Sequence, residues 1–133
     1  MIIGIGNDLI NIKRIESTLS KFGDRFIKRV FTDIEIKKSE GRLKKSSSYA
    51  KRFAAKEAFS KAIGTGISKG INFNEIIVHN IKSGKPNIRL LGNTKKVVNK
   101  ILNKKKFNIF LSLSDDKPFA VATVVISIWI KII

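Results

Sequence analysis

The stretch Arg52–Gly66, which reads RFAAKEAFSKAIGTG, is the part of this chain that most limits how it folds. Its residues favour a helix as far as Ile63, and Gly64 is a natural stop just beyond the helix end. At about 100° per residue, Ala55, Ala58, Phe59, Ala62 and Ile63 share one apolar face, while Phe53, Glu57, Ser60 and Lys61 share the opposite side. A single acid among cations, beside a small-residue turn, suits a metal ion and a phosphate better than a packed core.

Strands and shorter helices surround this helix. Ile2–Asp8 alternates as a strand, with Ile3 and Ile5 on one face and Gly4 and Gly6 on the other. Asn11 caps a helix whose apolar stripe is Ile12, Ile15, Leu19 and Phe22, and a short turn follows over Arg25–Val30. Thr32-Asp-Ile-Glu35 is a capping box that opens another helix. A basic, serine-rich loop over Gly41–Ser48 leads into the long helix, predicted over Ser48–Ile63. Glu75–Ile81 and Asn87–Leu91 read as strands joined by Gly84-Lys85-Pro86, and a helix from Asn93 or Thr94 to Asn103 turns Val97, Val98, Ile101 and Leu102 inward. The chain closes with a hairpin, Phe107–Ser114 and Phe119–Ile130, turning at Asp115–Pro118. Strands and helices mix without strict alternation, which predicts an α+β fold in one domain over residues 1–133.

Composition removes several chemistries. There is no Cys, so disulfides, thiolate zinc sites and Cys nucleophiles are excluded. The one histidine, His79, sits in a strand-like run without an evident acid partner and reads as a strand histidine. A formal charge of +17 favours an anionic partner, although the excess of Lys over Arg also fits compositional drift. The N-terminus lacks a basic leader segment, and the apolar run Phe119–Ile130 is shorter than the roughly 20 residues a membrane helix needs. The expectation is a soluble, cytoplasmic protein.

The candidate reactive groups each have two readings. Glu57 and Lys61, four residues apart, are either an exposed helix ion pair or a carboxylate and a cation serving a metal–phosphate site. Asp8 is either a turn residue at a strand end or a second metal ligand. Gly64-Thr65-Gly66 is either a plain helix cap or a set of N–H groups presented to a phosphate.

Two motifs carry a family resemblance: Gly4-Ile-Gly-Asn-Asp-Leu-Ile-Asn-Ile-Lys-Arg-Ile15 and the Arg52–Gly66 stretch. With the Gly84-Lys85-Pro86 turn and the closing hairpin from Ser112 to Ala122, the whole chain resembles the holo-[acyl-carrier-protein] synthases, the small bacterial 4′-phosphopantetheinyl transferases. The resemblance implies an antiparallel sheet with a long central helix and several shorter helices. It implies transfer of the 4′-phosphopantetheine group of coenzyme A to a serine of apo-acyl carrier protein, dependent on Mg²⁺, with release of adenosine 3′,5′-bisphosphate, in support of fatty acid biosynthesis. Asp8 and Glu57 would hold the Mg²⁺, with Glu57 and Lys61 catalytic and Lys61 facing the CoA phosphates. Arg52, Ser60, Gly64, Thr65 and Gly66 would line the CoA site, and Gly84, Lys85 and Pro86 would lie near the adenosine end. Arg14, Lys21, Arg25 and Lys28 would receive the acidic carrier protein. The resemblance further implies a homotrimer with active sites between subunits, and neither nucleic acid nor membrane as partner.

Two positions depart from the family pattern. Asn7 stands where Thr is common, and Asp115 stands where many members have His and others Asp, which leaves open a contact to metal or phosphate. Two rival readings are a basic nucleic-acid-binding domain and a non-catalytic trimeric relative of the enzyme. The first explains the charge but not Asp8 and Glu57, and its aromatics, mostly Phe at core-periodic sites, are poor stacking platforms.

Overall fold

Alternation in the first strand sorts small from large side chains, and the structure puts the small ones inside. In the computed structural model, which describes residues 1–130, strand β1 spans Ile2–Asn11. Gly4, Gly6, Asp8 and Ile10 face inward, while Ile3, Ile5 and Leu9 are exposed. The inner face lies directly on the long helix. A methyl group at Gly6 would overlap the Ala58 carbonyl and sit 2.8 Å from the Ala62 nitrogen, and one at Gly4 would overlap the Ala62 carbonyl. Only glycine lets a strand backbone approach a helix this closely.

The remaining elements follow in chain order. Helices α1 (Ile12–Phe22), α2 (Asp24–Val30) and α3 (Asp33–Glu40) precede the long helix α4 (Lys45–Ile63). A short 3₁₀ turn (Phe73–Glu75) leads into strands β2 (Ile76–Asn80) and β3 (Pro86–Leu90), helix α5 (Gly92–Ile101), and strands β4 (Phe107–Asp116) and β5 (Phe119–Ile128). The α+β class is as expected, but there are two antiparallel sheets rather than one: β1-β5-β4, and a separate β2-β3 ribbon. Ala120, Ala122, Val124, Ile126 and Ile128 of β5 alternate inward and pack with α4 into one core.

Helix starts match their sequence signals. The Asn11 side chain accepts from the Lys13 N–H, and the Thr32–Glu35 capping box is complete. The expected inner stripe of α1 is shorter than predicted: Ile12 and Ile15 are buried, but Phe22 is 46% exposed because the chain turns away at Gly23 (φ 52°). In α5, Val98 and Leu102 point inward and Ile101 does not. That helix is capped from a distance, since the Glu75 carboxylate accepts from the N–H groups of Asn93 and Thr94.

A buried ion pair ties the second half of the core together. Lys56 donates to Glu35 at 2.7 Å, to the Val30 carbonyl at 2.7 Å and to the Phe73 carbonyl at 2.9 Å, and both side chains are fully buried. Glu35 also accepts from Thr32 and from the Val78 N–H. All three ammonium protons and both carboxylate oxygens of the pair therefore have partners, the condition under which a buried ion pair is tolerated.

The contact between β1 and α4 gives a direct test. Gly6→Ala should destabilise the protein by at least about 3 kcal/mol, because backbone rather than a mobile side chain must move. Thermal and urea unfolding would measure it, and an unchanged midpoint would mean the strand does not lie against Ala58.

Candidate active site

The glycine-lined contact brings Asp8, two residues beyond Gly6 on the same face of β1, against the C-terminal turns of α4. Asp8 pairs with Ala122 of β5, and its side chain is 16% exposed. Lys61 reaches across from α4, and its ammonium donates to Asp8 Oδ1 at 2.9 Å and to the Asn7 carbonyl at 3.1 Å. The helix pair expected between Glu57 and Lys61 is thus replaced by a bond between strand and helix. Glu57 is partly buried on the same side, and its carboxylate makes no hydrogen bond or ion pair among the described residues. Burial pushes the Glu57 carboxyl above the usual glutamate range, the Asp8 charge adds to this, and Lys61 opposes it.

Two neighbouring carboxylates, one of them raised by burial and then by the charge of the other, form a set of hard oxygen donors that a divalent cation would relieve of repulsion. The pair fits Mg²⁺, which is commonly bound by one or two carboxylates and completes its shell with water and phosphate oxygens. No cluster of three or more His, Cys, Asp or Glu exists among the described residues, so a metal caged by protein alone is not built here.

Other predicted site residues lie differently. Ser60 is fully buried, and its hydroxyl donates to the Glu57 carbonyl at 2.7 Å, so its side chain faces the helix rather than a ligand. The N–H groups of Gly64, Thr65 and Gly66 all donate to the Ser60 carbonyl, at 3.0–3.2 Å. They close the helix, with Gly64 left-handed at φ 91°, and leave no free amides to cradle a phosphate.

Arg52 opens onto another side of α4. Five residues before Glu57, it lies about 140° around the helix axis. It is almost fully buried and donates to the Ser48 hydroxyl at 2.6 Å and to its carbonyl at 3.2 Å, while its Nε finds no partner. Burial lowers its pKa, Glu35 opposes this and Arg42 adds to it. Arg52 lines a cleft of about 560 Å³ with Lys37, Lys38, Arg42 and His79, a set suited to an anion. Of these, only Arg52 was expected from the sequence; the others come from α3, the turn that follows it and β2, and carry no local motif. Gly84, Lys85 and Pro86 form the β2–β3 connection beside this cleft, with the Asn80 side chain donating to the Gly84 carbonyl at 2.8 Å. Lys85 stretches over the Phe110 ring, 5.9 Å from its centroid.

Arg14 and Lys21 on α1, and Arg25 and Lys28 on α2, are all exposed, and none is in an ion pair among the described residues. Asp115, by contrast, is engaged within its own chain. It accepts from the Ser47 hydroxyl at 2.8 Å and pairs with Lys51 at 3.6 Å, and the Ser47 bond first, then Lys51, holds its carboxyl below the usual range.

The fold coincides with that of a known family. A family model, the 4′-phosphopantetheinyl transferase superfamily, matches residues 4–124, and the chain belongs to that superfamily. Within it the chain groups with the holo-[acyl-carrier-protein] synthases. The one from Bartonella quintana is 53% identical over 127 residues, covering 95% of this chain and 96% of its own length. That of Rhizobium meliloti is 51% identical over 127 residues, covering 95% and 91%. The crystal structure of the Neisseria meningitidis enzyme superposes with a TM-score of 0.86 at 36% identity, covering 96% of this chain and 99% of its own. The Helicobacter pylori enzyme, solved in complex with coenzyme A, gives a TM-score of 0.79 at 34% identity, covering 92% and 99%.

The coupling of the two carboxylates is measurable. In metal-free protein, Asp8→Asn should move the Glu57 carboxyl titration to lower pH, since a neighbouring negative charge is removed. A ¹³C NMR titration of Glu57 that is unchanged by the substitution would show that the two groups do not interact.

Proposed function

We propose that this protein transfers the 4′-phosphopantetheine group of coenzyme A to a serine of apo-acyl carrier protein, releasing adenosine 3′,5′-bisphosphate. The observation that carries the reading is the meeting of Asp8, Glu57 and Lys61 where β1 crosses α4. Family membership and the coenzyme A complex of the Helicobacter pylori relative support it. The product, a loaded carrier protein, would place the enzyme in fatty acid biosynthesis, and a cytoplasmic setting follows from that role.

In the transfer, the carrier serine oxygen forms a bond to the β-phosphorus of coenzyme A while the pyrophosphate P–O bond breaks. Positioning and charge neutralisation do most of the work in such a step. Asp8 and Glu57 would hold Mg²⁺, which when bound neutralises the pyrophosphate charge. Lys61, half-exposed in the free protein, is able to turn from Asp8 toward the attacked phosphate. The serine proton would go to the Glu57 carboxylate or to a water held beside it.

Arg52, with the cationic cleft around it, and the Gly84-Lys85-Pro86 turn would take the other end of coenzyme A. On one chain these groups and the Asp8–Glu57–Lys61 cluster occupy different sides of α4, which favours a site assembled between neighbouring subunits. The outer face of the β1-β5-β4 sheet offers an apolar surface for such a homotrimer, with Ile5, Leu9, Phe110 and Phe119 exposed. Arg14, Lys21, Arg25 and Lys28 would steer the acidic carrier protein into place.

Glu57→Ala should lower transfer by at least about 1,000-fold while leaving the melting temperature unchanged, because the carboxylate holds no structural contact. Mass spectrometry of apo-carrier incubated with coenzyme A and Mg²⁺ reads the outcome, and near-normal turnover would reject the assignment. Charge reversal at Arg14 and Lys21 should raise KM for the carrier by about tenfold with little change in KM for coenzyme A. Equal effects on both substrates would remove these residues from the docking surface.

A further inference from the structure

From Ile76 to Ser114 the chain contains no acidic residue. Six of its lysines, Lys95, Lys96, Lys100, Lys104, Lys105 and Lys106, fall on α5 and the turn that follows it. All six are exposed, and none is in an ion pair among the described residues. Asn103 and Lys104 adopt left-handed backbone (φ 52° and 60°), and the Lys104 N–H donates back to the Asn99 carbonyl at 2.8 Å. That turn folds the last three lysines against the end of the helix instead of letting them run on.

Apolar groups stand exposed at the same place. The Trp129 N–H donates to the Lys106 carbonyl at 3.0 Å, which fixes the indole-bearing residue next to the lysine turn. Trp129 is 67% exposed, Ile130 52% and Ile101 42%. Ile2 pairs with Ser127, so Trp129 lies past the end of the β1–β5 ladder, away from the exposed residues at the middle of the sheet face.

We propose that this end of the molecule, α5 with the lysine turn and Trp129, is a docking surface for an anionic lipid bilayer. Lysines around a phosphate-rich surface add electrostatic attraction, and their long stems let the ammonium stay at headgroup level while the apolar groups go deeper. Tryptophan prefers that boundary, where its ring is buried and its N–H stays wet. No helix among the described residues is long and apolar enough to cross a membrane, so the association is peripheral. A nucleic acid fits less well. The six cations on the patch are all lysine, without the guanidinium forks that grip phosphates in pairs. Ile101 and Ile130 also have no role in base stacking. None of these residues belongs to the transfer site, so the proposal stands or falls apart from the reaction assigned above.

The chain has one tryptophan, which makes its fluorescence a reporter for this surface alone. Full-length protein would be mixed with phosphatidylcholine vesicles with and without phosphatidylglycerol, at low and high salt. Binding should require the anionic lipid, weaken with salt and shift Trp129 emission to the blue. The triple substitution Lys96→Glu, Lys100→Glu, Lys104→Glu should lower partitioning by about 100-fold while carrier modification in solution stays at the parent rate. Trp129→Ala should lower partitioning without changing its salt dependence. Equal binding to neutral vesicles, or full binding by the triple variant, would overturn the proposal. So would emission already blue in free protein and unmoved by vesicles, which marks Trp129 as buried between subunits. Tight binding of RNA at a salt concentration that releases the vesicles would reassign the patch to nucleic acid and overturn it equally.

Discussion

The architecture depends on a strand lying on a helix with nothing between them. Gly4 and Gly6 of β1 meet the backbone of α4 at Ala58 and Ala62, so the separation is set by main-chain contact. Ordinary side chains there would hold the two elements farther apart and move Asp8 out of reach of Lys61. A 2.9 Å bond from a strand carboxylate to a helix ammonium is thus a consequence of two missing methyl groups. Rigid backbone contact also suits catalysis, because a site built on packed elements holds its groups more closely than one built on loops.

The opposite side of α4 is organised by different means. Lys56, adjacent in sequence to Glu57 but facing the other way, is buried with Glu35 and binds carbonyl groups of two further segments. Such a pair gains little net stability over well-packed apolar groups, yet losing one partner strands a charge in the core. Its effect is to specify one arrangement: the end of α2, the start of α3, the 3₁₀ turn and β2 are all bound to one ammonium or its carboxylate. Because α3, the turn after it and β2 supply Lys37, Lys38, Arg42 and His79, the cationic cleft at Arg52 inherits its shape from that buried pair.

Much of this was legible from local pattern. Element types follow from periodicity and capping, and the errors are at ends: α4 begins at Lys45 rather than Ser48, and β1 continues to Asn11. Those ends are set by tertiary contacts, the β1–β5 ladder running on to Asn11 and Phe119. The capping box at Thr32 was visible, but not that its Glu35 would be fully buried, since its partner is 21 residues away on another helix. Asp8, Glu57 and Lys61 stood out as candidates, whereas the bond between Asp8 and Lys61 did not, because periodicity alone pairs Lys61 with its helical neighbour Glu57. The cap at Gly64–Gly66 was legible, while the bond of Ser60 back to its own helix was not. A motif names residues but not directions, and in each case the polar group turned back to satisfy the helix end.

The two faces of α4 now explain each other. Glu57 and Lys61 look toward β1, and Arg52 looks toward α3 and β2, from positions about 140° apart on one cylinder. A ligand with a pyrophosphate at its middle and further charge at one end carries negative groups too far apart for a single face to neutralise. One chain that places an acidic, metal-suited cluster on one side and a cationic cleft on the other would, on the proposed reading, present two half-sites. In the homotrimer proposed above, the first half of one copy would meet the second half of the next. The apolar outer surface of the sheet, left bare because its inner face is spent on α4, is the part of the fold able to hold such copies together. The glycines that press β1 onto the helix therefore set both the reactive cluster and the exposed isoleucines behind it.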